Sequence, residues 1–383
     1  MVYDIVIIGS GTVGAFGGYY ATKLNKKTLL IDKFIPPHTQ GSYHGDTRIF
    51  RIAYGEGEKY IPLLQRAYNL WGDFEKDNNI KLFERCGLLN IGSRNSIFMQ
   101  NILSSITNFK LEAIELHSRD IKERYGIHVP RDFFGILEPH TGFIYSDASI
   151  QTAIQSAKKF GAHTLYGDIT QISKNASNGY MIMLADSEHQ IHKITTQQIL
   201  ITAGSFTKEV LETFNFDVYS IAKNGIPVRA KRKVVSWFES ESYKLESGFP
   251  AFILEFEDDH LYGFPNLGEG VKVGRDNTGQ YIETREQRSE YGTFFEDKIE
   301  VEPIKSFFPH LNEIIKGNVC SYPMSPDEDP FIDFIADNIL FMGGFSHGFK
   351  FAPALGLLGI ESLISHTLPN DIQKHFSLKR LNQ

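Results

Sequence analysis

The stretch DIVIIGSGTVGAFGGYYATK, residues 4–23, decides the fold of this chain. Residues 5–8 form a β-branched apolar run, which is typical of a buried parallel strand. Gly9, Gly11 and Gly14 follow at G-x-G-x-x-G spacing. The first glycine permits a tight turn, the second lets a pyrophosphate approach the backbone, and the third lets the next helix lie close to the strand. The stretch therefore predicts a dinucleotide site, with phosphates at the helix N-terminus, rather than only a buried strand and a glycine-tolerant helix.

A second apolar run, KTLLID, ends in Asp32, 18 residues after Gly14. A carboxylate at this place accepts hydrogen bonds from the ribose 2′-hydroxyl and disfavours a 2′-phosphate. The order of strand, glycine motif, helix, second strand and acid is far more specific than the glycines alone. It favours FAD or NAD over NADP.

Composition limits the class of protein. The chain has 383 residues, of which 42% are hydrophobic and 22% charged, as in ordinary globular proteins of about two domains. The net charge of −7 argues against a nucleic-acid partner, whose phosphates require a basic face. We see neither a basic signal segment at the start nor an apolar run of about 18–20 residues, so we expect no membrane partner and a cytoplasmic location.

The two cysteines, Cys86 and Cys320, lie far apart in the sequence. Two such thiols do not make a disulfide framework, and they lack the spacing of metal ligands. We therefore expect no metal site. From the residues alone, both cysteines are interpreted as buried free thiols.

The nucleotide-binding pattern returns twice later in the chain. The segment TTQQILITAG predicts a strand that stops at Gly204, and the segment at 338–364 predicts a strand, a glycine-rich turn and a helix with Pro353 in its first turn. Short runs within 231–275 are separated by turn residues, as in an antiparallel sheet. We expect an α/β (α+β) fold. A Rossmann-like nucleotide-binding domain would comprise residues 1–82, 145–217 and 318–383, and a mostly antiparallel substrate domain would comprise residues 83–144 and 218–317.

The segment GSYHGDTRIFRIAYGEGEKY, residues 41–60, places His44, Arg48 and Arg51 close together. If the chain is helical from Asp46 onward, the two arginines share a face at i, i+3 spacing and suit an anionic ligand. The alternative is a solvated helix in which Glu56 and Glu58 pair with them.

Several longer motifs resemble the monomeric sarcosine oxidase and N-methyltryptophan oxidase family of FAD-dependent amine oxidases. The resemblance covers essentially the whole chain and rests on PPHTQGSYHGDTRIFRIAYGEGEKYIPL (36–63), YGFP (262–265), VCSY (319–322) and HGFKF (347–351). The segments GSGTVGA, GYYATK and SPDED are more similar to the N-methyltryptophan branch.

The resemblance implies how the cofactor is held. Cys320 matches the cysteine that binds the 8α-methyl carbon of the flavin through a thioether, and a thiolate is the nucleophile that this attachment requires. His44 and Arg48 match residues beside the flavin ring. Gly344 and Gly348 match residues of the glycine-rich turn that contacts the flavin.

The resemblance also implies how the substrate is held. Arg51 and Lys350 match two cations that bind the substrate carboxylate, while Tyr262 and Tyr322 match pocket residues. Lys272 matches a lysine implicated in oxygen activation, where a buried ammonium stabilises developing negative charge. Without the resemblance, the favoured interpretation of Lys272 is a charge at a strand edge facing water.

Two positions depart from the family pattern. Asp276 lies four residues after Lys272, where the family carries a histidine facing the substrate. The turn GFSHGFKF is one glycine shorter than the usual FSGHGFKF. Because a carboxylate repels a carboxylate and attracts an ammonium, we expect Asp276 to contact the substrate and to alter its choice.

The expected function is an FAD-dependent oxidase of N-methyl amino acids that produces the amino acid, formaldehyde and hydrogen peroxide. The expected partners are a small-molecule substrate and molecular oxygen, and the expected state is a monomer. Two alternatives stay open: oxidation of another secondary amine or cyclic imino acid of the proline or pipecolate type, and a flavin-binding protein with little oxidase activity.

Overall fold

A computed structural model describes residues 2–176, 178–218 and 225–382 of the chain. The strands, in chain order, are β1 (Val2–Ile8), β2 (Thr28–Asp32), β3 (Thr47–Phe50), β4 (Phe83–Glu84), β5 (Leu88–Ser93), β6 (Ile114–His117), β7 (Phe133–Glu138), β8 (Gly142–Tyr145), β9 (His163–Tyr166), β10 (Asp168–Lys174), β11 (Tyr180–Ala185), β12 (Ile191–Ile201), β13 (Arg229–Phe238), β14 (Ala251–Phe256), β15 (Asp259–Phe264), β16 (Val271–Arg275), β17 (Gln280–Ile282), β18 (Ile314–Met324), β19 (Phe331–Ala336) and β20 (Ile339–Gly343).

The helices complete the element order. The α-helices are α1 (Thr12–Lys23), α2 (Ile61–Asn78), α3 (Ile97–Phe109), α4 (Ser118–Tyr125), α5 (Ser146–Lys159), α6 (Thr207–Leu211), α7 (Glu296–Ile299), α8 (Ala352–Ser365) and α9 (Asn370–Phe376). Short 3-10 helices span Glu58–Tyr60, Gly204–Phe206, Leu245–Ser247, Glu286–Arg288, Glu302–Ser306, Gly348–Phe351 and Leu378–Asn382.

The first sheet contains the predicted dinucleotide-binding strands. Its path runs β10-β11-β12-β1-β2-β9, with β20 joined to β12 and β19 joined to β20. The pairs β1–β12, β1–β2, β2–β9 and β12–β20 are parallel. Helices α5 and α8 both pack against α1 beside this sheet. The Rossmann-like half and its two later returns are therefore confirmed.

The second sheet is mostly antiparallel, as predicted. Its path runs β17-β13-β16-β15-β14-β5-β7-β6, with β18 also paired to β13, and β14–β5 is a parallel pair. A small sheet β3-β8-β4 lies outside both paths. The α/β class with two interleaved parts is thus confirmed.

One predicted domain boundary is wrong in detail. The division between residues 317 and 318 cuts β18, which pairs with β13 from Arg229↔Met324 to Phe238↔Ile314. A strand hydrogen-bonded along its length belongs to one sheet, so the antiparallel part extends to Met324. Residues 219–224, at the start of the predicted segment 218–317, lie outside the described residues.

The helix expected from Asp46 onward is also wrong. Residues Thr47–Phe50 form β3, which pairs antiparallel with β8. Gly45 and Asp46 before it have φ values of 111° and 69°, which no helix continues. The i, i+3 spacing of the arginines is a weak guide, because Thr, Ile and Phe in this segment are also frequent strand residues.

The sequence analysis finds no apolar run of about 18–20 residues, but the helical segment Gly348–Ser365 has 18 residues and is apolar enough to count as one. Its length and composition would suit a helix that crosses a bilayer, yet 78% of it is buried inside the structure. It packs on α1 and α2, as the central helix of a folded core does.

Candidate active site and cofactor cavity

A cavity of about 700 Å³ extends from the glycine turn after β1 to the turn before α8. The predicted site residues that line it are Gly9, Gly11, Asp32, Arg48, Arg51, Gly204, Tyr262, Asp276, Tyr322, Gly348 and Lys350. Five other predicted residues are described but are not among the lining residues: Gly14, His44, Lys272, Cys320 and Gly344. The cavity thus collects residues from both sheets along one path.

The glycines at one end of the cavity let the turn after β1 pack closely against neighbouring backbone. Gly9 has φ +95°, and a Cβ there would stand 2.5 Å from the Thr202 carbonyl oxygen. A Cβ on Gly14 would collide with the Gly9 carbonyl oxygen, which explains why Gly14 serves helix packing and not the cavity wall. Gly11 opens to the cavity at the N-terminus of α1, where free N–H groups suit a pyrophosphate.

Asp32 ends β2 at the same end of the cavity. Its carboxylate accepts hydrogen bonds from Ser10 N at 2.7 Å and Phe34 N at 3.3 Å, and it lies 3.3 Å from His38 Nε2. These bonds hold the carboxylate at the cavity wall. The donor set, the glycine turn and the length of the cavity fit a dinucleotide with an unphosphorylated ribose.

Arg48 stands further along the cavity on β3. Its guanidinium donates to three backbone carbonyls, those of Thr47 at 2.8 Å, Ser42 at 2.6 Å and His44 at 2.7 Å. His44 therefore acts here through its backbone, and burial lowers the pKa of its imidazole. The three bonds fix a positive charge in the wall beside Tyr262 and Tyr322.

Cys320 is a buried free thiol on β18, with 2% of its surface exposed. Side chains two residues apart on a strand point to the same face of the sheet. Tyr322 lines the cavity, so the Cys320 side chain leaves the strand on the cavity side. The second thiol, Cys86, lies in a different cluster beside Phe143, and burial raises its pKa to about 11.

Lys272 lies on β16 with 3% of its surface exposed. Its ammonium donates to the Gly45 carbonyl and, at 3.0 Å each, to the carbonyl and hydroxyl oxygens of Thr47. It also stands 4.5 Å from the ring centre of Phe264, a lining residue. Burial, with the adjacent Arg48, holds the pKa of Lys272 well below its ordinary value. The alternative interpretation of Lys272, a charge at a strand edge facing water, is thus excluded.

Arg51 follows β3 at the other end of the cavity and is 5% exposed. Its Nη2 pairs with Glu56, whereas Nε and Nη1 are buried with no hydrogen-bond partner among the described residues. The guanidinium carbon stands 4.6 Å from the ring centre of Tyr54. Buried unpaired donors of a cation are what a carboxylate site provides before its ligand arrives. The predicted second partner, Glu58, instead accepts hydrogen bonds from Ser104 and Asn108.

Lys350 stands in the same part of the cavity, in the 3-10 helix before α8, and is 5% exposed. Its Nζ donates to the His347 carbonyl at 2.8 Å and to the Tyr54 hydroxyl at 3.2 Å. Burial and the nearby Arg51 lower its pKa to about 7. The structure thus brings together the two cations that the sequence placed 299 residues apart.

Asp276 lines this end of the cavity but is already engaged. Its Oδ1 lies 2.9 Å from His347 Nε2, and His347 Nδ1 lies 3.7 Å from Glu56 Oε1. The sequence prediction of a carboxylate aimed at the substrate did not include His347 as a partner. Asp276, which stands in place of the family histidine, and His347 of the shortened turn are therefore hydrogen-bonded to each other.

Sequence reasoning missed Glu138, which anchors the segment after Arg51. Glu138 is 3% exposed, and its carboxylate accepts hydrogen bonds from Ile52 N at 3.0 Å, Ala53 N at 2.9 Å and Asn90 Nδ2 at 3.3 Å. Burial raises its pKa. Nothing near Glu138 in the sequence signals a partner 85 or 86 residues away.

Removing this anchor should destabilise the protein. Glu138→Ala leaves the Ile52 and Ala53 amides buried without an acceptor, and we expect a loss of about 2–4 kcal/mol in the free energy of unfolding. Denaturant titration measures it. Glu115→Ala, which removes a partly exposed partner of Arg94, is the matched control and should change stability by less than about 0.5 kcal/mol. Equal losses in the two variants would contradict the anchoring role.

A metal centre is not indicated. Across residues 2–176, 178–218 and 225–382, no group of three or more His, Cys, Asp or Glu side chains is arranged to hold a metal ion.

Comparison with known proteins identifies the family. The sequence profile of the family described as "DAO: FAD dependent oxidoreductase" matches residues 4–361. The N-methyl-L-tryptophan oxidase of Yersinia pestis (strain Pestoides F) is 37% identical over 388 residues, covering 99% of this chain and 100% of that protein. The chain therefore belongs to the DAO family, and it is an FAD-dependent oxidoreductase. The resemblance found in the sequence motifs is confirmed.

Solved structures show the same fold at low identity. NikD, an unusual amino acid oxidase essential for nikkomycin biosynthesis, superposes with a TM-score of 0.82 at 16% identity, over 98% of this chain and 97% of that one. L-proline dehydrogenase from P. horikoshii gives 0.81 at 18% identity, over 99% and 97%. Glycine oxidase from Geobacillus kaustophilus gives 0.77 at 14% identity, over 99% of each chain.

Proposed function

We propose that this chain is an FAD-dependent oxidase of N-methyl amino acids of the sarcosine or N-methyl-L-tryptophan type. The products are the demethylated amino acid, formaldehyde and hydrogen peroxide. The observation that carries the proposal is the pair of buried cations at the end of the dinucleotide cavity, Lys350 and Arg51. Two nitrogen atoms of Arg51 have no hydrogen-bond partner within the part of the chain that the structure describes. The relative at 37% identity is named for N-methyl-L-tryptophan, which supports the same substrate class.

The two cations orient the substrate. A carboxylate bound between Arg51 and Lys350 fixes one end of an amino acid, so that its amine and methyl group face the middle of the cavity. Bound FAD supplies the two-electron acceptor there, and water hydrolyses the imine product. Phe98 and His260, whose ring centres are 4.2 Å apart, offer an apolar wall to the substrate side chain. Burial lowers the pKa of His260, which keeps this wall neutral.

Gly9, Gly11, Asp32 and Gly204 would hold the dinucleotide part of FAD, and Arg48 and Tyr262 would face its ring system. Covalent attachment through Cys320 is part of the proposal, supported by the position of this thiol on the cavity side of β18. Lys272 is proposed to assist the reaction with oxygen. The monomeric state and the cytoplasmic location stay predictions from the sequence.

Anaerobic spectroscopy tests the proposal directly. The purified protein is expected to show a flavin absorption band that sarcosine or N-methyl-L-tryptophan bleaches and that oxygen restores. Proline serves as the third titrant, because it represents the second candidate, another secondary amine or cyclic imino acid. Bleaching by proline alone would replace the first candidate by the second. A flavin band that none of the three bleaches would refute the first candidate and would favour either an unfamiliar amine as the substrate or a flavin-binding protein with little oxidase activity.

Carboxylate binding should depend on pH through Lys350. Its pKa of about 7 means that the ammonium prevails below pH 7 and the neutral amine above it. Methoxyacetate has the shape of N-methylglycine without a titrating amine. We expect its Kd to rise as pH increases above 7, by at most about tenfold per pH unit. The flavin difference spectrum measures the Kd. Lys350→Met should give weaker binding without this pH dependence, and a wild-type Kd that is constant from pH 6 to 9 would contradict the assignment.

A further inference from the structure

The hydrogen bond between Asp276 and His347 connects the two parts of the fold at the cavity. Asp276 directly follows β16 in the antiparallel sheet, and His347 lies in the turn between β20 of the parallel sheet and α8. The two residues are 71 positions apart, and Asp276 Oδ1 lies 2.9 Å from His347 Nε2. The contact therefore depends on how the two sheets pack.

Asp276 is itself held firmly. Its backbone N–H donates to the His260 carbonyl at 2.9 Å, and its backbone carbonyl accepts from the ammonium of Lys233, a residue that is 5% exposed. Burial opposes ionisation of the side chain, but His347 and Lys233 hold the pKa of Asp276 well below its ordinary value. The turn that carries His347 therefore contacts a carboxylate, that of Asp276, whose position and negative charge are fixed.

The same turn carries the hydrogen bond that places Lys350. The His347 carbonyl accepts from Lys350 Nζ at 2.8 Å. Beyond Asp276, the imidazole also faces Glu56, which pairs with Arg51. Movement of His347 would therefore displace the carbonyl that accepts from Lys350. It would also disturb Glu56, the partner of Arg51.

We propose that Asp276 is a positioning residue, which fixes His347 and its turn and so sets the affinity of the cavity for the substrate carboxylate. This role differs from direct contact with the substrate amine, which the sequence pattern suggested. It also explains how the shortened turn is held, because the hydrogen bond from His347 to Asp276 restrains a turn that has one glycine fewer than the family pattern. The inference rests on the proposed function insofar as the ligand is a carboxylate.

Methoxyacetate binding to the flavin-containing protein distinguishes the two roles. Asp276→Ala is expected to raise the Kd for methoxyacetate roughly tenfold, with a similar rise in KM for the N-methyl amino acid and a change in kcat of less than about threefold. Asp276→Asn, which keeps the shape and a hydrogen-bond acceptor for His347, should give a smaller rise. Glu257→Gln is the matched control, because Glu257 is an exposed carboxylate that pairs with Arg275 on the neighbouring strand end; its Kd should equal that of the wild type.

A double-mutant cycle gives an independent measure. If Asp276 acts through His347, the effects of Asp276→Ala and His347→Ala on the Kd should be far less than multiplicative in the double variant. Fully multiplicative effects would overturn the inference. An unchanged methoxyacetate Kd in both Asp276 variants, with a raised KM for the amine substrate, would also overturn it and assign Asp276 to the amine. If the wild type neither binds methoxyacetate nor oxidises any N-methyl amino acid, the proposed function fails and the inference fails with it.

Discussion

Cys320→Ser is expected to release all of its flavin into the supernatant when the protein is precipitated with acid, whereas the wild type keeps its flavin in the pellet. The thiol is buried, free and on the side of β18 that faces the cavity, since it shares a strand face with Tyr322. A serine hydroxyl has nearly the same size but is a much weaker nucleophile at neutral pH, so the fold survives while the thioether does not form.

The second cysteine provides the control for this experiment. Cys86→Ser changes a thiol in a separate apolar cluster, where burial raises the thiol pKa to about 11 and so disfavours the thiolate. Its flavin should stay in the pellet, as in the wild type. Flavin that remains bound in Cys320→Ser but is lost from Cys86→Ser would show that Cys86, and not Cys320, is the attachment residue. Flavin extractable from the wild type itself would show that the attachment is absent.

Lys272→Met is expected to slow oxygen uptake by the substrate-reduced enzyme about 10²–10³-fold, while anaerobic bleaching by substrate keeps nearly its wild-type rate. Methionine has a similar length and no charge, so the variant removes the ammonium without opening a large cavity. The oxygen acceptors at Gly45 and Thr47 lose their donor, which should lower the free energy of unfolding by about 1–3 kcal/mol. Stopped-flow mixing with oxygen measures the first effect separately from the second.

Lys316 offers a matched control for Lys272. Both ammonium groups stand over the ring of Trp237, at 4.6 Å for Lys316 and 5.4 Å for Lys272, but Lys316 is 41% exposed and pairs with Glu269. Lys316→Met should leave oxygen uptake unchanged. Equal rates of oxygen uptake in the wild type and Lys272→Met would remove Lys272 from the reaction with oxygen. Slower bleaching by substrate in Lys272→Met would instead place the lysine in the step that precedes oxygen.

The dinucleotide half could be predicted because its signals are local. The strand, the three glycines, α1 and Asp32 lie within residues 2–32, so one short stretch of sequence carries the whole pattern. The family motifs extended the prediction to Arg51 and Lys350. No local sequence pattern places these two residues in one site. The local pattern failed at β3, because T-R-I-F fits a helix or a strand and its partner β8 lies about 95 residues further along the chain.

The sequence by itself determined the class of fold, the nucleotide-binding turn, and the residue types that reach the cavity. Only the tertiary structure decided which of these residues hold one another: Glu138 with the amides after Arg51, Lys272 with Thr47, and Asp276 with His347. The physical reason is that these bonds join segments 71 to 225 residues apart. Such contacts form only when the sheets and the segments between them pack together. Buried polar groups then bond to partners far away in the sequence, which no short-range pattern predicts.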